Sequence, residues 1–251
     1  YKFAILRSMN QSNNPWNILG QQTFNTQLKE NEIDPRAADN ILIAWPSILQ
    51  TIHNSYPDPK GIRVLDFGCG TGGFCNNLAK LGFNVTGVDP SEGMIESAIK
   101  HSPPSIHYIL GGSSSLYSLG QFQIITSIMT LQFIENIREA MQLIIGQLNL
   151  GGLFICAVFN PEWVKACLAV NISFADFDSN EHPKKGWKTF GELRTPVYIR
   201  NAAAYDKSIE KLGLIKIVEV YPPFTPEFIK KYPDKRPKQM SEYLILGYKK
   251  I

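Results

Sequence analysis

The chain has 251 residues, of which 44% are hydrophobic and 19% are charged. This composition is typical of a folded globular domain and excludes a disordered or collagen-like chain. The net charge, from 25 basic and 22 acidic residues, is only +3 and predicts no polyanionic partner by itself. Apolar runs are far shorter than the roughly 18 residues of a membrane span, and no membrane partner is expected.

The cysteines predict a reducing environment. They stand apart in the sequence, without a CxxC pair or a Cys/His cluster, at positions 69, 75, 156 and 167. Neither a disulfide framework nor a metal site has the spacing that it would need. We therefore expect free thiols, no metal and a cytoplasmic location.

Residues 1–55 are predicted to be mostly helical. Apolar residues recur between Ile41 and Ile52 at the spacing of an amphipathic helix, which Pro46 is expected to bend or restart. The segment is predicted to form an N-terminal helical lid, with simple packing on the following domain as the alternative.

Short β-rich runs then alternate with helical stretches. Strands are predicted at residues 61–67, 83–88, 105–110, 122–128 and 153–159. Helices are predicted at residues 73–81, 92–100 and 137–148. Strands rich in Val, Ile and Leu are typical of a parallel sheet covered on both faces. Residues 56–251 are therefore expected to form a doubly wound, Rossmann-like α/β domain.

Residues 160–200 interrupt the alternation. The stretch is too long for a simple connection and contains prolines and a basic run, KKGWK at residues 184–188. It is predicted to be a substrate-loop insertion, although disorder or decoration is compatible with the same pattern. Two final strands, 214–220 and 242–248, are predicted to form a C-terminal antiparallel hairpin across a tight, proline-rich link.

The strongest motif is VLDFGCGTGGF at residues 64–74, between the first strand and the first helix of the alternation. Its glycines permit a tight turn and close approach of a ligand to the backbone, and the helix start offers free N–H groups. The spacing of Gly68, Gly70 and Gly73 also fits the dinucleotide pattern GxGxxG, with Asp89 near the distance expected for a ribose contact. A nucleoside cofactor is predicted, and the glycines alone leave a nicotinamide open.

Two carboxylates bear on the choice of cofactor. Asp66 would repel a pyrophosphate and favour the ammonium and sulfonium charges of S-adenosylmethionine. Its alternative role is to cap the following loop through backbone amides. Asp89 would hold ribose hydroxyls, or else serve as the N-cap of the helix that begins near Pro90.

Four motifs in order resemble those of class I S-adenosylmethionine-dependent methyltransferases, of the small-molecule branch that includes quinone-pathway enzymes. They are VLDFGCGTGGF, VTGVDPSEGMIESA, FQIITSIMTLQF and LNLGGL, and they cover about residues 60–160. The resemblance implies S-adenosylmethionine as cofactor and methyl transfer to an O, N or C atom of a small, partly apolar metabolite.

Carried over by position, the resemblance implies a set of cofactor-binding residues. They are Asp66, Gly68, Cys69, Gly70, Asp89, Pro90, Met94, Gly112, Ser113 and Ile128. The chain departs from the family at Gly112, where an acid usually accepts the adenine amino group; backbone there or Ser113 would substitute. Gln123 and Leu150 also replace a usual Asp and Pro, and both differences look structural.

On the acceptor side, Gln132 is predicted to lie nearest the acceptor, where the family usually has His or Gln; an exposed loop glutamine is the alternative. Methyl transfer from a sulfonium needs mainly positioning, so no catalytic triad is expected. His182 is the one histidine singled out as a candidate base. Aromatic residues predicted for the lid over an apolar molecule are Trp16, Phe24, Trp45, Phe174, Phe177 and Trp187.

Three rival functions remain open from sequence. A nucleic-acid methyltransferase would use the basic residues near positions 184–188 and 230–238 as phosphate contacts, but the small net charge argues against a nucleic-acid partner. An NAD-dependent oxidoreductase would need the glycine loop to hold phosphates, against which Asp66 argues. A cofactor-binding protein without catalysis is the third. The sequence makes no prediction of oligomeric state.

Overall fold

The computed structural model describes residues 14–21, 33–178, 184–233 and 236–251. Helix α1 spans Pro15–Gln21, and a π-helical turn, Asn40–Ala44, runs directly into helix α2, Trp45–Ser55. Pro46 lies in the first turn of α2, the part of an α-helix that tolerates proline best. The predicted restart near Pro46 is therefore the change from π to α geometry. The other parts of the predicted lid, residues 1–13 and 22–32, lie outside the described residues.

Five parallel strands form the first part of the main sheet. They are β1 (Arg63–Phe67), β2 (Asn84–Asp89), β3 (His107–Leu110), β4 (Phe122–Ile128) and β5 (Leu148–Phe159). Helices α3 (Gly73–Lys80), α4 (Glu92–Lys100) and α5 (Ile137–Gly146) connect them. The spatial order is β3-β2-β1-β4-β5, so the connections reverse direction between β1 and β4. Such a switch point opens a crevice at the carboxyl ends of the strands.

The insertion at residues 160–200 is structured where it is described. Asn160 caps helix α6 (Pro161–Ala169) by accepting a hydrogen bond from the Glu162 amide. Strands β6 (Phe174–Ala175), β7 (Lys184–Phe190) and β8 (Leu193–Ile199) then form a separate antiparallel sheet. Disorder is thus wrong for the described part of this segment, whereas His182 lies outside it.

The C-terminal segment completes the main sheet. Helix α7 (Ala202–Ile209) leads to β9 (Leu214–Val220), helix α8 (Pro226–Lys231) and β10 (Tyr243–Lys250). Strand β10 pairs antiparallel with both β5 and β9 and lies between them. The predicted antiparallel pairing is present, but the predicted tight link is wrong. Thr225 caps α8 and Pro226 begins it, so this proline starts a helix instead of a turn.

The sheet separates two apolar layers. One face packs on α2 and α3, and its centre contains Ile48, Val64 and Ile155. The other face packs on α5 and α7 around Leu65 and Phe154. Helices on both faces of a mostly parallel sheet confirm the predicted doubly wound, Rossmann-like fold. Within the described ranges, no helix is long and apolar enough to cross a membrane.

Candidate cofactor and acceptor site

The glycine loop is held between the ends of β2 and β4. The amides of Gly68 and Cys69 both donate to the carbonyl of Val88, at 2.7 and 3.1 Å. Gly68 has φ +76°, and a Cβ built on it would lie 2.1 Å from Thr130 Oγ1. Glycine therefore fits best at position 68, because a Cβ there would be strained by the left-handed backbone and would also clash with the side chain of Thr130.

Asp89 ties the same loop to the end of β2. Its Oδ2 accepts from the Gly70 amide at 2.9 Å, and its Oδ1 accepts from the Ser91 amide at 2.9 Å. The N-cap of α4 is Ser91, whose side chain accepts from the Met94 amide, so the alternative that Asp89 is this N-cap is wrong. Burial raises the pKa of Asp89 to about 6, against the two backbone hydrogen bonds that lower it.

Asp66 lies beneath the loop, with 2% of its surface exposed. Its Oδ1 accepts from Thr126 Oγ1 at 2.7 Å, and its Oδ2 accepts from Cys75 Sγ at 3.4 Å. Burial raises the pKa of Asp66 to about 6, and the charge of Asp89 adds to that rise. The described hydrogen bonds of Asp66 come from side chains, which argues against the alternative that it caps the loop through backbone amides.

The residues predicted for the adenine end surround the start of α4. Met94 is buried, and its sulfur lies 3.9 Å from the Cβ position of Gly70. A Cβ on Gly112 would meet no atom within 4 Å, so the backbone there faces open space. Ser113 is half-buried and Pro90 is exposed. These residues, Cys69 and the two aspartates therefore lie along one edge of the sheet.

The segment that follows β4, residues 129–135, is called here the β4 exit. It contains Gln132, the residue predicted to lie nearest the acceptor. Ile128 ends the strand half-buried, and Met129 follows with φ +55°, a conformation that non-glycine residues seldom adopt. Gln132 is only 1% exposed, so the alternative of an exposed loop glutamine is wrong. Its Nε2 lies 3.9 Å from Met129 Sδ, and its Oε1 has no hydrogen-bond partner in the described part of the chain. A buried acceptor without a donor is costly, and a ligand that donates a hydrogen bond would satisfy it.

Arg200 holds this exit segment in place. Its guanidinium donates to the carbonyls of Ile134 and Glu135, each at 2.8 Å, and to that of Leu131 at 3.5 Å. The residue is 4% exposed. Sequence reasoning missed Arg200, because no local pattern links it to a loop more than 60 positions earlier.

Helix α1 contacts several segments around the site. The Trp16 ring lies 4.8 Å from the ring of Phe133 and 5.4 Å from that of Phe190, in edge-on contacts. Asn17 Oδ1 accepts from Ser91 Oγ at 2.7 Å. The helix thus touches the β4 exit, the insertion and the start of α4 together. Asn17 was missed in the sequence because a lone asparagine in a short helix carries no signal.

Other aromatic residues predicted for the lid lie elsewhere. Trp45 packs in the core against Phe74, Phe174 and Phe177 belong to the apolar cluster under the small sheet, and Trp187 packs on Arg194. Phe24 is outside the described residues. In the described part of the chain, no group of three or more His, Cys, Asp or Glu side chains is arranged to hold a metal ion.

Fold and site together define a class of protein: a doubly wound domain with the glycine loop and acidic strand end of nucleoside-cofactor enzymes. The model of the methyltransferase domain family matches residues 38–214. This is more than half of the chain, which therefore belongs to that family. The predicted resemblance to class I S-adenosylmethionine-dependent methyltransferases is confirmed.

Individual relatives agree with this assignment. The ubiquinone biosynthesis O-methyltransferase of Rickettsia bellii (strain OSU 85-389) is 26% identical over 116 residues, 45% of this chain and 48% of the relative. The protein of the same name from Maricaulis maris (strain MCS10) is 30% identical over 148 residues, 57% of each chain. The chain thus matches about half the length of these relatives. An S-adenosylmethionine-dependent methyltransferase from Mesorhizobium loti shares the fold, with TM-score 0.63 and 18% identity over 86% of this chain and 100% of that one.

Proposed function

We propose that this protein transfers a methyl group from S-adenosylmethionine to a small, partly apolar metabolite. The observation that carries the proposal is the pairing of a glycine loop with two buried carboxyl groups, Asp66 below it and Asp89 at its side. Negative charge there disfavours a pyrophosphate and favours the cationic methionine end of this cofactor. Asp66 argues against an NAD-dependent oxidoreductase, because its charge would repel a pyrophosphate.

The described residues fit the cofactor. The glycines leave the loop backbone bare, Gly112 faces open space, and each oxygen of Asp89 accepts one hydrogen bond and retains a lone pair for a ribose hydroxyl. We assign Asp66, Gly68, Cys69, Gly70 and Ile128 to the methionine end and Asp89 to the ribose. Pro90, Met94, Gly112 and Ser113 are assigned to the adenine.

Bound S-adenosylmethionine supplies a methyl group that its sulfonium has already activated. The chain's own contribution is then to hold the acceptor atom in line and to exclude water. Gln132 is the residue proposed to bind the acceptor, because its buried Oε1 lacks a donor among the described residues. Arg200 fixes the backbone around it through the carbonyls of residues 131, 134 and 135.

The acceptor region is proposed to lie between an N-terminal lid, residues 1–55, and the insertion at 160–200. The contacts of Trp16 with Phe133 and Phe190 support this division, since they join both segments above the β4 exit. The matched relatives are named O-methyltransferases, which favours oxygen over nitrogen or carbon as the acceptor atom. The buried free thiols of Cys69, Cys75 and Cys156 support a cytoplasmic location.

A nucleic-acid acceptor is the less favoured alternative. Two of the basic residues that would contact phosphates already face acidic side chains: Lys185 pairs with Glu135, and Arg236 pairs with Asp39. Such pairing reduces the positive field available to a polyanion.

The proposal is tested by following the methyl group. The protein is incubated with methyl-labelled S-adenosylmethionine and a cell extract, which is then separated into low-mass, protein and RNA fractions. We expect label in a low-mass compound that separates from S-adenosylmethionine itself, and less of it with the Asp89→Ala variant when the cofactor concentration is well below the weakened dissociation constant. Label confined to RNA or protein would overturn the proposed acceptor class, and no transfer to any fraction would leave a binding protein without catalysis.

A further inference from the structure

Helix α1, Pro15–Gln21, has only seven residues. A helix of this length is not stable by itself in water, because too few hydrogen bonds offset the entropy that is lost in forming its first turn. Its order therefore depends on contacts with other parts of the chain. These contacts lie on two sides, one at the start of α4 beside the cofactor site and one at the insertion.

On the cofactor side, Asn17 is hydrogen-bonded to the residues that follow Asp89. Its Oδ1 accepts from Ser91 Oγ at 2.7 Å and from the Gly93 amide at 3.2 Å. The Ser91 amide donates to Asp89 Oδ1 at 2.9 Å, and Ser91 Oγ accepts from the Met94 amide at 3.3 Å. Ser91 therefore connects Asn17 directly to the carboxylate proposed to bind the ribose.

The backbones of α1 and α4 approach each other closely at two glycines. A Cβ built on Gly20 would lie 2.5 Å from the carbonyl carbon and oxygen of Gly93, and a Cβ on Gly93 would lie 2.5 Å from the carbonyl oxygen of Asn17. These are backbone atoms, which no side-chain rotation can move away. Docking of α1 on α4 thus requires glycine at position 20, although alanine would favour the helix itself.

On the other side, Trp16 joins α1 to the insertion. Its ring lies 5.4 Å from the ring of Phe190. Phe190 ends β7 and pairs with Leu193, the first residue of β8, so it lies at the tip of the β7–β8 hairpin. Trp16 and Asn17 are neighbours that point about 100° apart on the helix, which lets one short helix contact both partners.

We propose that Asn17 is a positioning residue for Asp89, and that docking of α1 couples the cofactor site to the tip of the β7–β8 hairpin. The inference rests on the proposed function. Cofactor bound at Asp89 fixes the segment around Ser91, the fixed segment favours docked α1, and docked α1 holds Phe190 through Trp16. Coupling between two equilibria is reciprocal, so undocking of α1 must lower the affinity for the cofactor.

Gly20→Ala tests the coupling, because it blocks docking and removes no side chain. Binding of S-adenosylhomocysteine is measured by calorimetry, and amide hydrogen exchange is followed with and without saturating ligand. In the wild type, we expect the ligand to slow exchange in the glycine loop, residues 68–72, and at the hairpin tip, residues 187–193. In Gly20→Ala we expect the affinity to fall about 5-fold or more, with slowing retained in the loop and lost at the tip.

Asn17→Ala is the second variant, since it removes the hydrogen bonds to Ser91 and Gly93 without adding a clash. The same two changes are expected. A merely structural role of α1 would change exchange at the tip equally with and without the ligand. The matched control is Gly146→Ala at the end of α5, where a Cβ meets nothing within 4 Å. It should leave the affinity and both exchange responses unchanged.

Wild-type affinity in Gly20→Ala, or ligand-dependent slowing at the hairpin tip that persists in both variants, would overturn the coupling. So would a wild type in which the ligand slows exchange in the glycine loop and not at the tip. A wild type that does not bind S-adenosylhomocysteine in the first titration would instead refute the proposed function.

Discussion

Gly68 and Gly61 have nearly the same backbone conformation, φ +76° and +75°, but different surroundings. A Cβ on Gly61 meets nothing within 4 Å, whereas a Cβ on Gly68 lies 2.1 Å from Thr130. Gly61→Ala should therefore cost only the left-handed strain, about 1 to 2 kcal/mol. Gly68→Ala should cost about 3 kcal/mol or more, because it adds the clash. Urea unfolding of both variants measures the difference, and equal losses would contradict the close packing of the loop on Thr130.

Asp89 is expected to dominate the affinity for the cofactor. Asp89→Ala should weaken binding of S-adenosylhomocysteine by about 1.5 to 3 kcal/mol, roughly 10- to 150-fold, the usual value for hydrogen bonds to a charged group. Asp58→Ala is the control, since Asp58 is exposed and accepts from the Lys60 amide alone among the described residues. An unchanged affinity of Asp89→Ala in calorimetry would reject the ribose role.

Single residues were predictable where a local motif marked them. The glycine loop and Asp89 follow directly from the spacing of residues 64–89, and the structure puts them at one sheet edge. Arg200 and the ion pair between Arg236 and Asp39 were not predictable, because the partners are distant in sequence. Asp39 and Arg236, for example, are separated by 197 positions.

Among the elements, the β4 exit depends on one side chain of the segment between β8 and α7. Arg200→Lys keeps the charge but loses the planar fork that reaches several carbonyls of residues 131–135. We expect a loss of about 2 to 4 kcal/mol in the free energy of unfolding and faster hydrogen exchange in residues 131–135. Arg194→Lys, whose exposed side chain pairs with Asp176, should change stability by less than about 0.5 kcal/mol. Equal effects of the two variants would show that Arg200 does not hold the exit.

Elements with a clear local pattern were predicted well. The helix at Glu92–Lys100 and the strand at Phe122–Ile128 agree with prediction residue for residue. The link between β9 and β10 was predicted wrongly, because prolines are as common in turns as in the first turn of a helix. The small sheet of the insertion was also missed, since its register depends on pairing between strands.

At the scale of the molecule, several buried carboxyl groups make the stability of the fold depend on pH in the same direction. The pKa of Asp66 and of Asp89 is about 6 in the folded chain, against 3.8 for an ordinary Asp. Between these values the folded state binds more protons than the unfolded state, so stability falls as pH rises from about 4 to 6. Glu242 acts in the same direction.

Without ligand, the chain should therefore be more stable at pH 5 than at pH 7.5, by about 1 kcal/mol for each of the two aspartates. Urea unfolding at both pH values measures this, and Asp66→Asn should flatten the dependence. A wild type that is less stable at pH 5 than at pH 7.5 would contradict the raised pKa values of Asp66 and Asp89.

The most direct test of the central claim is a thermal-shift comparison of S-adenosylhomocysteine, NAD and NADP on the whole chain. A ligand at 100 times its dissociation constant adds about 2.7 kcal/mol, and each kcal/mol moves the midpoint of a chain of this length by roughly 2 to 4 °C. We predict a rise of about 5 to 10 °C with S-adenosylhomocysteine alone. A rise with NAD or NADP in its place, or no rise with S-adenosylhomocysteine, would contradict the assignment of Asp66 and Asp89 to a methyl-donor site.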